Sequence, residues 1–347
     1  MQLNMKKLLF LALSLSILST SCSTSDDPFI EKPQAPNLDN GLIILNEGGF
    51  QLNDASIGFA SFTFDKYHEN IAITPEKILG DVAHSIAFKD NKAYVVMKGS
   101  NSIEIFDRYT FKHEGSIKEG LHQPLYIAFA NNLMYVTNAE SKNVAIYDSS
   151  NKLIHEIDMG AEVGQIIAWN TKLYIQKNIS ETKSEIAILS ADFAVSKKIA
   201  IESELKGMAV LGDFVYAISS TTDKSYFYKI DAHTDSKATE FFSTRNSNAK
   251  NLRLDNNDLY YTSANHIYNW RTSDTNVQVA PVLSIPTEKF NEASSFYGFN
   301  VINTTFYIGD AGDMNEASTV DVYQKGKKVN SFKAGILTNN FYANFKK

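Results

Sequence analysis

The sequence repeats one short pattern six times, in which a polar turn leads through one or two apolar residues into a tyrosine. The repeated tyrosines are Tyr94, Tyr135, Tyr174, Tyr216, Tyr260 and Tyr307. Successive tyrosines lie 41, 39, 42, 44 and 47 residues apart. A period of this length, with several strands in each repeat, is typical of a β-propeller, whose blades are small antiparallel sheets arranged around an axis.

The repeat that contains Tyr94, residues His84–Asp107, shows what one unit holds. Three stretches rich in β-branched and aromatic residues, Ser85–Phe88, Ala93–Met97 and Ser102–Phe106, are separated by polar turns. This pattern predicts an antiparallel meander of three strands, and a fourth, outer strand follows in each repeat. A sheet of so few strands cannot bury its two apolar faces by itself. Each unit therefore has to pack against other units.

The first part of the propeller is an incomplete seventh unit. Leu42–Leu45 matches the tyrosine strand and Gly58–Phe64 matches the strand after it, but no innermost strand precedes them. The segment Asn340–Phe345 can supply that strand, which would leave no open blade edge. The sequence therefore predicts an all-β fold, a seven-bladed β-propeller over residues 41–347, closed by pairing of the N- and C-terminal strands. We expect the tyrosines to pack between blades and the Asn and Asp residues before them to form turns.

Residues 1–21 have the features of a secretory signal peptide. Lys6 and Lys7 precede an apolar run, Leu8–Ile17, which is too short to span a membrane, and small residues precede Cys22. The run that ends at Cys22 resembles a bacterial lipobox. That resemblance implies that Cys22 becomes a lipidated N-terminus, and ordinary cleavage that leaves a free thiol is the alternative.

Residues 22–40 contain three prolines and little periodicity, and we interpret them as a flexible tether. Asp26 and Asp27 resemble the surface-export signals of Bacteroidetes lipoproteins, the alternative being a merely hydrophilic linker. Because Cys22 is the only cysteine in the chain, disulfides cannot hold the fold together.

Composition and motifs argue against several classes of function. The net charge of -6 gives no basic footprint for nucleic acid. The chain has no G-x-S-x-G motif, its seven histidines lack metal-ligand spacing, and no glycine-rich phosphate loop follows a strand. We therefore expect a protein that is not an enzyme, with no catalytic residue, metal or cofactor.

Ligands of propellers usually bind on the face that carries the turns between the second and third strands and the connections between blades. Two of these turns, Asn46–Ser56 and Gly309–Ala317, are longer than a tight hairpin requires, and long loops often carry function. The candidate ligand-binding residues on this face are Phe50, Asn53, His84, Lys98, Tyr126, Asn138, Gln165, Lys206, Asn265, Tyr297, Asp310 and Asp313. Their mixture of aromatic and polar side chains suits a bulky amphipathic ligand.

Two of these assignments have open alternatives. The oxygens of Asp310, Asp313, Asn315 and Glu316 could hold calcium or could belong to a solvated turn. His84 could face a ligand or could cap a turn by hydrogen bonding.

Several motifs resemble one family. They are Leu45-Asn46-Glu47-Gly48, Leu79-Gly80-Asp81-Val82, Gly309-Asp310-Ala311-Gly312-Asp313 and the stretch from Gly335 to Tyr342. Together with the lipobox-like start they are similar to the YncE-like, DUF5074-type seven-bladed propeller lipoproteins of Bacteroidetes outer membranes. The chain departs from the family pattern at Ala311-Gly312, where a bulkier acid or lysine is expected, and at Asn340, where a glycine is expected.

The resemblance implies a lipid-anchored, surface-exposed outer-membrane protein, active as a monomer, that captures a small molecule. Relatives include the BtuG type, which captures cobalamin, and other surface propellers capture siderophores. Such proteins pass their cargo to a TonB-dependent outer-membrane receptor. For this chain the cargo could be cobalamin-like, siderophore-like or a glycan. A cell-envelope protein–protein scaffold and a propeller enzyme of lactonase or lyase type are the alternative functions.

Overall fold

A computed structural model describes residues 38–72, 78–273, 276 and 280–346. The predicted signal peptide, Cys22 and the tether up to residue 37 lie outside the described residues. Within the described part of the chain, no helix is long and apolar enough to cross a membrane.

In the described residues the chain forms seven four-stranded sheets, the blades, in which all neighbouring strands are antiparallel. The first three strands, which belong to blade 7, are β1 (Gly41–Asn46), β2 (Ser56–Ser61) and β3 (Tyr67–His68). Blade 1 contains β4 (Ala83–Lys89), β5 (Lys92–Met97), β6 (Ser102–Asp107) and β7 (His113–Ile117). Blade 2 contains β8 (Pro124–Ala130), β9 (Leu133–Asn138), β10 (Asn143–Tyr147) and β11 (Leu153–Asp158). Blade 3 contains β12 (Glu162–Trp169), β13 (Lys172–Ser180), β14 (Lys183–Leu189) and β15 (Val195–Glu202).

Blade 4 contains β16 (Glu204–Leu211), β17 (Phe214–Ser220), β18 (Ser225–Asp231) and β19 (Ser236–Ser243). Blade 5 contains β20 (Lys250–Asp255), β21 (Asp258–Ser263), β22 (His266–Trp270) and β23 (Leu283–Ser284). Blade 6 contains β24 (Gly298–Ile302), β25 (Thr305–Asp310), β26 (Ala317–Gln324) and β27 (Lys327–Ile336), and a 3₁₀ turn at Thr287–Lys289 precedes it. The last strand, β28 (Thr338–Asn344), completes blade 7. The seven-bladed prediction is confirmed.

The ring closes between the two ends of the chain, as predicted. Strand β28 pairs with β1 from Gly41 opposite Asn344 to Asn46 opposite Thr338. Phe341, at the middle of β28, is fully buried in a cluster with apolar residues of blades 6 and 7. Blade 6 approaches this strand closely, since a Cβ on Gly298 would lie 2.5 Å from the Thr338 carbonyl oxygen. The closing strand is therefore packed on both of its sides.

The packed body begins before residue 41. Leu38 is fully buried, and its amide donates to the Tyr109 carbonyl at 2.9 Å. The Asn344 amide donates to the Leu38 carbonyl at 2.8 Å, so the described ends of the chain lie side by side.

The repeated tyrosines pack between blades. Tyr94 of blade 1 lies in one apolar cluster with Met134 and Val136 of blade 2, and Tyr216 of blade 4 lies in one with Leu252 and Leu259 of blade 5. The polar turns before the tyrosines each place a residue at positive φ, a conformation that Asn, Asp and Gly tolerate best. These turn residues are Asp90, Asn131, Asn170, Gly212, Asn256 and Asn303. The structural roles predicted for both sets are confirmed.

The inner strands share a feature that the repeat pattern does not reveal. Near their starts six of the seven described inner strands skip register against the second strand of their blade, which is the mark of a β-bulge; β24 is regular. In five inner strands the register shifts lie between residues 83 and 85, 124 and 127, 163 and 166, 205 and 207, and 250 and 253. In β28 the skipped residue is Asn339, which lies opposite the step from Leu45 to Asn46 of β1. A bulge changes the direction in which the local side chain points. The residue that faces the channel at the start of each inner strand therefore differs from blade to blade.

Candidate functional site

The inner strands enclose a central cavity of about 420 Å³. It lies near the face that carries the turns between second and third strands and the connections between blades, which we call the loop face. Residues from six blades line the cavity: Ser85, Ile86, Ala87, Tyr126, Ile127, Gln165, Gln176, Leu205, Lys206, Gly207, Asn251, Arg253, Asn340 and Tyr342. This lining combines phenols, amides and two cations, which suits specific binding of a polar molecule.

Interblade hydrogen bonds from side chains to backbone hold the channel wall together. The side-chain amide of Gln165 accepts from the backbone N–H of Met208 at 2.7 Å and donates to the backbone carbonyl of Met208 at 3.0 Å. The Ile86 amide donates to the Tyr342 hydroxyl at 3.0 Å. Neighbouring inner strands are not paired with each other, so these side chains satisfy backbone groups that a ladder would otherwise satisfy.

A carboxylate at the mouth of the channel is held by two neighbours. The Tyr297 hydroxyl donates to one oxygen of Glu47 at 2.5 Å, and the Asn339 side chain donates to the other at 3.0 Å. Burial and the adjacent Glu47 raise the pKa of Tyr297. Among the described groups, the Asn339 Oδ1 atom is buried and has no hydrogen-bond partner. The sequence reasoning selected Tyr297 but missed Glu47 and Asn339; the position of Glu47 in the long 46–56 turn was the available signal.

His84 lies beside Tyr126 where blades 1 and 2 meet. The two rings are in edge contact, with centroids 4.9 Å apart. The Nε2 atom of His84 is buried and has no hydrogen-bond partner among the described residues. Burial, and then the positive charge of Lys98, lower the pKa of His84 to about 4, so the imidazole is neutral near neutral pH.

Lysines also lie on this side of the ring. Lys206 forms an ion pair with Glu204 at 2.5 Å. Burial lowers the pKa of Lys250. The negative charge of Glu292 opposes that shift, and the positive charge of Lys206 adds to it. Lys206 and Lys250 are therefore near enough to repel each other, and each is near a carboxylate.

A second cavity of about 450 Å³ opens on the loop face between blades 7, 1 and 2. Its lining residues are Phe50, Gln51, Asp81, Val82, Lys98, Gly99, Asn101, Gln123 and Glu140. The Gln51 amide donates to the Asp81 carboxylate at 2.9 Å, which fixes the 47–55 loop to blade 1. We call this cavity the side cleft. Phe50 at its edge is 72% exposed.

The twelve predicted ligand-binding residues therefore divide among several places. Tyr126, Gln165 and Lys206 line the central cavity, whereas Phe50 and Lys98 line the side cleft. Both side-chain ends of Gln165 are already bonded to Met208. Asn251, Arg253 and Tyr342 also line the central cavity, and the sequence reasoning did not select them.

Asn138 and Asn265 bond to the connections that join neighbouring blades. The Asn138 side chain is fully buried, donates to the Gly120 carbonyl at 3.0 Å and accepts from the His122 amide at 3.1 Å. The Asn265 side chain donates to the Ile285 carbonyl at 2.6 Å. These bonds stabilise the loop face that surrounds the channel.

The acidic turn of blade 6 is organised by its own backbone. Asp310 accepts from the Gly312 amide at 3.0 Å, and Asp313 accepts from the amides of Asn315 and Glu316 at 3.0 and 3.2 Å. In the part of the chain that the structure describes, no group of three His, Cys, Asp or Glu side chains could hold a metal ion.

Asn53 lies away from both cavities. It is an exposed residue at positive φ in the 47–55 loop.

No protein-family model and no curated protein sequence matches this chain. Solved structures do. A functionally unknown protein from Desulfotomaculum acetoxidans is 12% identical, with a TM-score of 0.66 over 89% of this chain and 100% of that one. The Dos1 propeller is 12% identical, with a TM-score of 0.57 over 87% and 86%. Dihydro-heme d1 dehydrogenase NirN is 10% identical, with a TM-score of 0.55 over 89% and 76%. The likeness is one of fold alone.

Proposed function

We propose that this chain is a non-enzymatic cell-surface lipoprotein of the outer membrane, of the YncE-like type. It binds a small-molecule nutrient at the loop face and passes it to a TonB-dependent outer-membrane receptor. The observation that supports this proposal is the open central cavity, whose wall changes its side chain from blade to blade. Phenols, amides and cations from six blades line this cavity, and such a mixture suits specific recognition of a polar ligand.

The size of the two cavities supports a ligand that lies partly outside the ring. The central cavity, about 420 Å³, is within the range of small-molecule pockets, and the side cleft adds about 450 Å³. A cobalamin-like, siderophore-like or glycan ligand would cover the mouth near His84 and Tyr126 and insert one group into the channel. A preformed, closed ring lowers the ordering cost of such binding.

The position of the chain ends supports a loop face that is free of the anchor. Strand β1 runs from Gly41 towards the loop face and β28 runs from Thr338 away from it, so both described ends lie on the opposite face. A lipid at Cys22 would therefore be attached on the side away from the funnel, and the loop face would stay free to contact the ligand and the receptor.

Exposed apolar side chains on the loop face favour a protein contact as a second candidate function. Phe50 and Leu52 in the 47–55 loop are 72% and 67% exposed. Isolated apolar surface residues are ordinary, but two at one loop tip beside a cleft suit a docking contact. In the transport proposal this loop contacts the receptor; in the scaffold alternative it contacts another envelope protein and the channel stays without a ligand.

Calorimetry with purified protein tests the binding proposal. Cyanocobalamin, a ferric siderophore and oligosaccharides are titrated into the wild type, Tyr126→Ala and Lys206→Ala, with Lys327→Ala, an exposed change at the start of β27, as the control. We expect one ligand class to bind the wild type and the control equally, and the two channel variants about tenfold or more weakly. Absence of binding by every ligand, or equal binding by all four proteins, would contradict the proposal.

The transport step needs its own experiment. Tagged protein is recovered from native membranes, and its partners are identified by mass spectrometry. We expect a TonB-dependent receptor with the wild type, and less of it with Phe50→Ser combined with Leu52→Ser. Recovery of other envelope proteins and no receptor would support the scaffold instead.

A further inference from the structure

We propose that the central cavity contains a binding site for an oxyanion, a carboxylate or phosphate group of the ligand, with Arg253 as its main contact. This inference rests on the proposed function, because it names the chemical class of the group that enters the same channel. It adds a requirement that the binding proposal alone does not make, namely that the cargo carries a negative charge.

Among the residues that the structure describes, the charge of Arg253 has no counterpart. Its guanidinium is largely buried in the channel wall, and burial lowers its pKa. Among the described residues, no Asp or Glu carboxylate forms an ion pair with it. A buried cation without a partner is costly, and such groups are normally paired with an anion.

The hydrogen bond that Arg253 makes does not require a charge. Its Nε donates to the Phe299 carbonyl of the next blade at 2.8 Å. One blade further on, Asn300 donates to the Phe341 carbonyl at 2.6 Å. The two donors are equivalent, since Arg253 pairs with Tyr260 and Asn300 pairs with Tyr307, the repeated tyrosines of their blades. A neutral amide therefore performs the structural role, and the positive charge is left to be explained by something else.

The remaining donors of Arg253 are suitable for an oxyanion. Its Nη1 bonds the Leu252 carbonyl at 3.0 Å, and its Nη2 has no partner among the described atoms. A guanidinium that keeps N–H groups free can bind a carboxylate or phosphate through two parallel hydrogen bonds.

Two phenols complete the site. Tyr126 and Tyr342 line the same cavity as Arg253. The Tyr342 hydroxyl accepts from the Ile86 amide and the Asn340 side chain at 3.0 and 3.1 Å, so its own proton remains available to donate. The Tyr126 hydroxyl has no hydrogen-bond partner in the described chain. Lys206 is already paired with Glu204, which leaves Arg253 as the uncompensated charge of the cavity.

The test uses simple probes at constant ionic strength. Inorganic phosphate, citrate, glucuronate and neutral glucose are titrated into the wild type, Arg253→Asn and Arg245→Asn by calorimetry. Arg245 is exposed and serves as the matched control. Arg253→Asn places at this position the residue that already makes the equivalent bond in blade 6.

We expect the wild type and Arg245→Asn to bind at least one anion about tenfold or more tightly than glucose, and Arg253→Asn to lose that preference. Preference for phosphate or for the carboxylates decides which group is bound. Without ligand, Arg253→Asn should melt at the same temperature as the wild type or higher, because an unpaired buried charge is gone. An anion preference that Arg253→Asn retains, no anion preference in the wild type, or a large fall in the melting temperature of Arg253→Asn would overturn the inference.

The two proposals fail in different ways. If cyanocobalamin, siderophore and oligosaccharide all fail to bind while phosphate or glucuronate binds through Arg253, the nutrient proposal is wrong and the anion site stands. If one of the large ligands binds the wild type and Arg253→Asn equally, the binding proposal stands and the anion site is wrong.

Discussion

The neutral, partly buried imidazole of His84 predicts a specific loss of stability in acid. Its pKa is lowered from 6.5 to about 4 in the folded chain, chiefly by burial and then by Lys98. On acidification the unfolded chain therefore takes up this proton before the folded chain does. The contribution of His84 is complete above its unfolded pKa of 6.5 and is lost as the pH falls towards 4.

The size of the effect follows from the two pKa values of His84. A separation of one unit corresponds to about 1.36 kcal/mol. Between about pH 7.5 and about pH 5, integration over the two titration curves gives a loss of about 2 kcal/mol in the free energy of unfolding. Other titrating groups contribute as well, so the effect of His84 must be isolated by difference.

The comparison is between the wild type and His84→Gln, a neutral replacement that cannot titrate. Urea unfolding of both proteins without ligand, followed by circular dichroism across this pH range, gives their stability difference at each pH. We expect that difference to shift by about 2 kcal/mol against the wild type on going to the lower pH. Lys98→Met should reduce the pH dependence, because one of the two causes is removed. A difference that is constant with pH would refute the reasoning, whatever its size at neutral pH.

Three further changes test the ring itself. Phe341→Ala removes a fully buried ring from the closing strand and should cost about 3–5 kcal/mol in urea unfolding. The control, Phe345→Ala, changes a side chain that is 41% exposed and should cost less than about 1 kcal/mol. Equal costs would show that the closing strand contributes little. Gly298→Ala should lower the melting temperature by several degrees, because the added methyl group would meet the adjacent backbone. The control, Gly115→Ala, adds a methyl group with nothing within 4 Å and should change the melting temperature little. Indistinguishable melting curves would contradict the close approach of blade 6 to the closing strand. Asn138→Ala leaves the Gly120 carbonyl and the His122 amide without their side-chain partner and should cost about 1–3 kcal/mol in urea unfolding. A neutral result would count against the role of Asn138 in holding the connection before β8.

The fold could be predicted because each blade of a propeller is specified by a short, local sequence pattern. Each blade carries its own turns and its own repeated tyrosine, such as Tyr94, and the count of repeats follows directly. Closure could also be predicted, since the N-terminal part of blade 7 lacks an inner strand and Asn340–Phe345 can provide one. The observed strand, Thr338–Asn344, differs at its ends by one or two residues.

The site could be located only approximately, because a bulge moves the channel-facing position by one residue without leaving a mark in the pattern. Arg253 lies between two leucines in a segment that the repeat predicts to be an apolar inner strand. A charged residue at that place was the available signal, but only the register with Tyr260 shows that it faces the channel wall. Asn138, the last residue of β9, illustrates the opposite difficulty, since a polar residue beside a predicted turn gives no indication in sequence that its side chain is fully buried.

The arrangement of blade 7 has a mechanical consequence. Strand β1, the first strand after the N-terminal segment, is paired with β28 on one side and with β2 on the other. A force applied at Gly41 along the strand must therefore break two hydrogen-bonded ladders at once in shear, whereas an edge strand can be peeled away one bond at a time. A chain tethered by its N-terminus would thus be pulled at a strand that is held on both sides, and its C-terminal strand would share the load.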